Sequence, residues 1–216
     1  VDDGVGTPPP NNNASQLQTF TISIDAINDA PEFDIPANLT VNEDAGLVSA
    51  SGFATNVRRG PVGTDDENGQ IINFEVVADD PTAFSVQPAI SPDGTLVFRS
   101  APNVNSLNAS LGVSVRLVDS GTAEPDPNVN VSPVQRFTID INPVNDPPIA
   151  DSFSVTGTED NSIVIQAADV LAGDVPGPTS DELGQSLRMT TIERTSAFGG
   201  SIVPVFNGSE IESFTY

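Results

Sequence analysis

The sequence predicts an all-β protein, built as an elongated array of tandem β-sandwiches. Residues 1–31 recur as residues 118–148 without a gap, and 16 of the 31 aligned pairs are identical. A fixed period of this length indicates one structural unit that is used repeatedly. Val, Ile and Thr are frequent, 19 Pro and 17 Gly are spread along the chain, and no long apolar stripe has the helical period. This pattern favours short strands joined by turns.

The period divides the chain into three units. Residues 1–28 are expected to be the C-terminal end of a preceding repeat, and their TFTISIDA run predicts a last strand with Phe20, Ile22 and Ile24 facing inward. Residues 29–146 are expected to be a complete repeat, the central unit. Residues 147–216 are expected to be the N-terminal part of a truncated repeat, the third unit. We therefore expect the chain to be a segment of a longer array.

The central unit has about seven predicted strands, the number that an immunoglobulin-like Greek-key sandwich needs. They are Leu39–Asn42, Val48–Phe53, Ile71–Ala78, Phe84–Gln87, Thr95–Arg99, Leu111–Asp119 and Gln135–Asn142. The run Pro92-Asp93-Gly94 predicts a tight hairpin turn.

The third unit repeats the beginning of this pattern. Its predicted strands are Ser152–Thr156, Ser162–Ala167, Leu187–Glu193, Ser201–Phe206 and Ser213–Tyr216. The motif Asp66-Glu67-x-Gly69-Gln70 recurs as Asp181-Glu182-x-Gly184-Gln185, 115 residues later. This second repeated motif indicates that the loop in the middle of the unit, the mid-unit loop, is also repeated.

The charge balance restricts the partners. The chain has 30 Asp and Glu against 7 Arg, no Lys, and a net charge of −23. Nucleic acid is not expected as a partner because no basic stripe could neutralise phosphates. No run of about 18 apolar residues occurs, so we expect no membrane insertion in this segment. Cations are the natural partners of such a surface.

The absence of Cys and His removes other kinds of chemistry. Disulfides and thiolate metal sites are impossible without Cys, and a Ser nucleophile would lack its usual His base. Paired carboxylates could act as an acid and a base, as in glycosidases. However, the acids cluster at repeated positions near unit boundaries, and an array has no reason to duplicate an active site. We therefore expect the chain not to be an enzyme.

The peptides at the unit boundaries carry the strongest functional signal. They are Ile27-Asn28-Asp29-Ala30-Pro31 and Val144-Asn145-Asp146-Pro147-Pro148. Calcium prefers six to eight oxygen ligands at about 2.3–2.6 Å. An Asn-Asp pair offers a carboxylate, an amide oxygen and nearby carbonyls, and the Pro that follows stiffens the linker.

These linkers resemble the DxNDNAPxF linkers of cadherins, and more closely the V-N-D-A-P linkers of cadherin-like repeats in very large bacterial surface proteins. The run Thr40-Val41-Asn42-Glu43-Asp44 and the run Val118-Asp119-x-Gly121 also resemble cadherin motifs. In that family, such positions supply Ca²⁺ ligands between domains. The resemblance implies Asn28, Asp29, Asp65, Glu67 and Asp119 at the first junction. At the second it implies Glu43, Asn145 and Asp146, with Asp174 or Asp181 from the third unit.

The chain departs from the cadherin pattern in ways that remove oxygen ligands. Asp25 stands at the first linker position in one copy, but Asn142 replaces it in the other. Ala30 and Pro147 occupy the place of the second Asn, and the cadherin DRE motif has no clear counterpart. We therefore expect fewer or weaker ions per junction, with dissociation constants in or above the range of about 10⁻⁴–10⁻³ M typical of extracellular modules.

The sequence thus predicts a calcium-rigidified repeat segment of a large secreted or cell-surface adhesion protein, most similar to bacterial ones. Its partners would be the neighbouring repeats, the same protein on other cells, or surface glycans. Two alternatives stay open. The repeats could be a passive acidic spacer that presents an adhesive or enzymatic head outside this segment. The acidity could instead reflect life at high salt, without specific metal sites.

Overall fold

The computed structural model describes residues 16–63, 66–107, 109–178, 182 and 184–216. The chain is nearly all β, as predicted. Its strands are β1 (Glu32–Asp34), β2 (Asn38–Asn42), β3 (Val48–Ala50), β4 (Thr55–Arg58), β5 (Ile72–Ala78), β6 (Phe84–Ile90), β7 (Leu96–Ser100), β8 (Leu111–Asp119), β9 (Gln135–Asn142), β10 (Val164–Gln166), β11 (Val203–Asn207) and β12 (Glu210–Thr215). The described residues also contain a 3-10 turn (Pro81–Ala83) and a four-residue helix α1 (Ala167–Val170). No helix among the described residues is long and apolar enough to cross a membrane.

The central unit is a two-layer β-sandwich. One sheet has the order β2-β9-β8-β5 and the other the order β3-β7-β6. Strand β2 runs parallel to β9, and the other neighbours in both sheets are antiparallel. The inward side chains of both sheets form a single core, in which Leu96, Phe98, Leu117, Phe137 and Ile139 are almost completely buried.

All seven strands predicted for the central unit are present. The bounds of β8 and β9 agree with the prediction, because apolar and polar residues alternate along their whole length. Strand β6 continues three residues beyond the predicted end at Gln87. Strands β1 and β4, which pair with each other, were not predicted. They are too short for alternation to be read, and Phe33 is their one fully buried side chain.

The predicted turn at Pro92-Asp93-Gly94 joins β6 to β7. Gly94 has a φ of 84°, and its N–H donates to the Ser91 carbonyl at 2.8 Å. A Cβ at this glycine would lie 2.1 Å from the Ala54 carbonyl oxygen, so both conformation and space require glycine. The Ser91 hydroxyl and the Thr95 N–H donate to the Asp93 carboxylate and lower its pKa, because they stabilise the charged form.

In its described residues, the third unit contains one sheet, with the order β10-β12-β11. In sheet order, β10, β12 and β11 thus take the places of β3, β7 and β6 in the central unit. Ile165, Ile211 and Phe214 form its small core. The predicted strands at residues 152–156 and 187–193 are wrong, since neither range belongs to a ladder. The central unit pairs the corresponding segments in its four-stranded sheet, which has no equivalent among the described residues of the third unit.

The predicted inward strand near residues 19–26 is also wrong. The segment belongs to no strand, and Phe20, Ile22 and Ile24 are 84%, 72% and 90% exposed. Alternation of apolar and polar residues is typical of a strand, but a strand also needs a neighbouring strand to pair with its backbone groups. In the described residues, no segment pairs with this one.

Candidate metal centre

Asn28 is the anchor of the first junction. It is buried at the end of β8, where its N–H donates to Asn128 Oδ1 at 2.8 Å and its carbonyl accepts from the Val129 N–H at 2.8 Å. Its side-chain Nδ2 donates to the Val129 carbonyl at 2.7 Å and to Asp119 Oδ1 at 3.3 Å. These bonds attach the linker to the loop between β8 and β9.

The mid-unit loop contacts the same linker from another side. The Asp29 N–H donates to Glu67 Oε1, and Gln70 Nε2 donates to Asn28 Oδ1. The loop is itself held in a turn, because the Gln70 N–H donates to the Glu67 carbonyl at 3.0 Å. Arg59 Nε fixes the Gln70 carbonyl at 2.6 Å. The structure therefore brings Asn28 and Asp29 together with a glutamate and a glutamine from the mid-unit loop.

The Val-Asp-x-Gly motif has a steric explanation. The Gly121 N–H donates to Asp119 Oδ1 at 2.7 Å, which closes a tight turn. A Cβ on Gly121 would lie 1.8 Å from Asn28 Oδ1 and 2.3 Å from Asn28 Cγ. Glycine is thus needed at this position because the linker asparagine occupies the space above it.

Three buried side-chain oxygens of this junction have no hydrogen-bond partner among the residues that the structure describes: Glu67 Oε2, Asp119 Oδ2 and Gln70 Oε1. Glu67 and Asp119 are only 3% and 5% exposed. An ionised carboxylate is costly to bury without a compensating partner. Two carboxylates and an amide oxygen are ligands of the kind that calcium prefers. These three oxygen atoms are therefore chemically suited to bind a hard cation such as calcium.

The number of acidic ligands at this junction is small. Within the described ranges, no three Asp or Glu side chains form a group that could hold a metal ion. Asp65, expected as a ligand, lies outside the described residues, and its neighbour Asp66 is exposed. Any cation at the first junction would complete its shell with carbonyl oxygens or water.

The second junction lies at the opposite end of the central unit, because β8 and β9 are antiparallel and end at Asp119 and Asn142. Glu43, just after β2, is buried there. Its N–H donates to the Asn142 carbonyl at 2.9 Å, and its Oε1 accepts from the Val144 N–H at 2.6 Å. The structure thus places Glu43 against the second linker, one residue before the Asn-Asp pair.

The third unit holds this linker with a glutamate and a glutamine, as the central unit holds the first. The Asp146 N–H donates to Glu182 Oε1 at 3.0 Å, and Gln185 Nε2 donates to Asn145 Oδ1 at 3.0 Å. The Gln185 N–H donates to the Glu182 carbonyl at 2.9 Å. Glu182 is buried, and a Cβ on Gly177 would lie 2.5 Å from its Cγ.

Glu182, Gln70 and Gln185 were not predicted as site residues, although the mid-unit motif that recurs 115 residues later indicated them. It aligns Glu182 with Glu67 and Gln185 with Gln70, so the Glu67 prediction could have been transferred directly. Asp181 lies outside the described residues. Asp174 accepts a hydrogen bond from the Asp151 N–H at 2.7 Å, next to the bridge between residues 149 and 175.

No family model, no curated protein and no solved structure matches the chain. The functional argument therefore depends on the repeat and on the geometry of its two junctions.

Proposed function

We propose that this chain is a calcium-binding repeat segment of a large extracellular adhesion or surface protein. Its units would be cadherin-like, immunoglobulin-type Greek-key sandwiches in tandem. The observation that carries the proposal is a pair of buried carboxylate oxygens beside the linker, Glu67 Oε2 and Asp119 Oδ2, to which no described residue donates a hydrogen bond. A calcium ion would compensate both charges where hydrogen bonds do not.

The mechanism would be mechanical. Each linker is contacted by loops of the unit that follows it, through Glu67 and Gln70 at the first junction and Glu182 and Gln185 at the second. Bound calcium would neutralise the carboxylates that these loops bring together. Without calcium, like-charge repulsion in a chain of net charge −23 would let the junctions flex.

The repetition of the arrangement supports a role in the array rather than in one catalytic unit. The same pair of residue types, glutamate to the linker N–H and glutamine to the linker asparagine, occurs at both junctions. We propose a non-enzymatic protein at the cell surface or secreted from the cell. Its partners would be neighbouring repeats, copies on other cells, or surface glycans.

Calcium titration by calorimetry, with small-angle scattering in calcium and in chelator at constant ionic strength, tests the proposal. We expect saturable binding with a dissociation constant of about 10⁻⁴–10⁻³ M and a longer, stiffer particle in calcium. Asp119→Asn should weaken binding at least about tenfold because it removes a ligand charge. Glu212→Gln makes the same charge change on the exposed face of β12 and should leave binding unchanged. No binding and an unchanged shape would refute the proposal.

A passive acidic spacer is the second candidate. It is favoured by the lack of any group of three acidic side chains around one point in the described part of the chain. In this case the rod would present a head that lies elsewhere. NaCl at matched ionic strength would then reproduce every effect of CaCl₂ on particle length, since only screening would matter.

A further inference from the structure

The mid-unit loop of the central unit contains an Asn-Gly pair at the tip of a tight turn. The Gln70 N–H donates to the Glu67 carbonyl at 3.0 Å, which places Asn68 and Gly69 at the two central positions of a four-residue turn. Both central residues are exposed. Among the described residues, the Gly69 N–H has no hydrogen-bond acceptor. The backbone nitrogen that follows the asparagine is therefore not held by a hydrogen bond.

This arrangement favours attack of the Gly69 nitrogen on the side-chain carbonyl carbon of Asn68. The attack forms an N–Cγ bond and closes a succinimide ring, while the Cγ–Nδ2 bond breaks and ammonia leaves with the proton of the attacking amide. Water then opens the ring at either carbonyl. The product is aspartate in the ordinary linkage or isoaspartate, whose main chain runs through Cβ. Glycine obstructs the attack least, because it has no Cβ and a permissive backbone.

A second Asn-Gly pair in the chain shows what the turn contributes. Asn207 is the last residue of β11 and pairs with Glu210 of β12. This pairing fixes its backbone, so the ring can close there only after the end of the hairpin opens locally. Every other Asn in the sequence is followed by a residue that has a Cβ. We therefore expect Asn68 to convert first.

The two ends of the turn hold the first linker. Glu67 Oε1 accepts from the Asp29 N–H, and Gln70 Nε2 donates to Asn28 Oδ1. Isoaspartate inserts one carbon into the main chain between Glu67 and Gln70, which lengthens the turn and removes the geometry of its closing hydrogen bond. The linker then loses at least one of its two contacts with the loop.

The second junction holds its linker in the same way but lacks the reactive pair. The Gln185 N–H donates to the Glu182 carbonyl at 2.9 Å, as in the first turn. In the repeated motif, however, Leu183 aligns with Asn68. Leucine has no side-chain carbonyl that a backbone nitrogen could attack. The two junctions thus differ in their susceptibility to this reaction.

We propose that Asn68-Gly69 is a self-modification site, at which succinimide formation and hydrolysis release the first linker from the mid-unit loop. The reaction needs only water, and no enzyme, cofactor or metal. It converts a firmly held junction into a looser one as the molecule ages, while the second junction stays as it is. The inference does not rest on calcium, because protein groups make both of the linker contacts that are lost.

Incubation of the chain in warm, mildly alkaline buffer, followed by peptide mass spectrometry, tests the chemistry. The peptide that contains Asn68 should gain the mass difference between an amide and an acid, and should separate into aspartate and isoaspartate forms. It should convert at least about tenfold faster than the peptide with Asn207, whose strand must open first. Gly69→Ala should prevent most of the conversion, because the new methyl group crowds the attacking nitrogen. No atom lies within 4 Å of that Cβ, so the turn should persist.

Amide exchange in chelator tests the consequence for the linker. After conversion, the Asp29 N–H should exchange at least about tenfold faster than before, because its acceptor has moved. The Asp146 N–H, which donates to Glu182 Oε1 at 3.0 Å, is the matched control and should be unchanged. Freshly prepared Asn68→Asp carries the new charge on an ordinary main chain and should keep the Asp29 N–H protected. This variant separates the longer main chain from the added charge.

Three outcomes would overturn the proposal. These are conversion of Asn68 no faster than that of Asn207, conversion that Gly69→Ala leaves unchanged, and equal exchange of the Asp29 N–H before and after conversion. Because every measurement is made without calcium, a failure of calcium binding would leave these results unchanged. The inference and the proposed function can therefore fail separately.

Discussion

Replacement of Gly121 by Ala tests whether the linker is seated as the structure describes. The new Cβ would lie 1.8 Å from Asn28 Oδ1 and 2.7 Å from Asn28 Nδ2. These distances are far below van der Waals contact, so the asparagine side chain must leave its site. It would lose its bonds to Asp119 and Val129, and the bond that it accepts from Gln70.

The size of the effect follows from these bonds. Three hydrogen bonds at a net value of about 1 kcal/mol each give about 3 kcal/mol. Replacing glycine by alanine also restricts the unfolded chain, which offsets about 0.4–1 kcal/mol. We therefore expect Gly121→Ala to lower the free energy of unfolding of the central unit by about 2 kcal/mol.

Urea unfolding, together with amide exchange at Val129, provides the assay. The Val129 N–H donates to the Asn28 carbonyl, so its exchange should accelerate when the linker leaves. Gly69→Ala is the matched control: Gly69 lies in the loop that holds the same linker, and no atom lies within 4 Å of its added Cβ. In an Asn28→Ala background, Gly121→Ala should have almost no further cost. Unchanged stability and exchange in Gly121→Ala, or an undiminished cost without Asn28, would refute the reasoning.

Three further predictions concern single side chains. Glu182→Ala removes a buried acceptor of the second linker N–H and should destabilise the third unit by about 1–3 kcal/mol, measured by urea unfolding. The Ser91 hydroxyl, with a turn amide, lowers the Asp93 pKa. The contribution of the Asp93 carboxylate to stability is therefore fully present above its unfolded pKa of about 3.8 and is lost as the pH falls through the lower folded pKa. In thermal melts, Asp93→Asn should reduce this loss of stability at acidic pH. Phe98→Ala should cost about 3–5 kcal/mol, whereas Phe198→Ala, 98% exposed, should leave the melting temperature unchanged.

The strands of the central unit could be predicted because its inward residues alternate with polar ones. Phe137, Ile139 and Ile141 in β9 face a complete core, so the local pattern and the tertiary structure agree. The same pattern in Phe20, Ile22 and Ile24 gave a wrong prediction of burial. Alternation indicates which face of a strand is apolar. Whether that face is covered depends on other strands that are distant in sequence.

The junction residues could be predicted only in part, for a related reason. Asn28 and Asp119 were found from a short repeated motif, and the structure bonds them to each other. Glu182 was not predicted, although the repeated motif aligns it with Glu67. Which carboxylate faces the linker is decided by the turn that ends at Gln70 or Gln185, and acidic composition alone does not encode that geometry.

At the junctions, the hydrogen bonds that position the linker are distinct from the carboxylate oxygens whose charge needs compensation. Hydrogen bonds from Asp29 to Glu67 and from Asp146 to Glu182 hold each linker without a metal. They use one oxygen of each glutamate. At the first junction, Glu67 Oε2 and Asp119 Oδ2 remain buried with no hydrogen-bond partner in the described part of the chain. A cation would act on those remaining oxygens, because they carry the charge that the linker amides do not satisfy. Calcium is therefore expected to change the stiffness of the array more than the fold of its units, and chelation should increase flexibility at the junctions while the core around Phe98 stays intact.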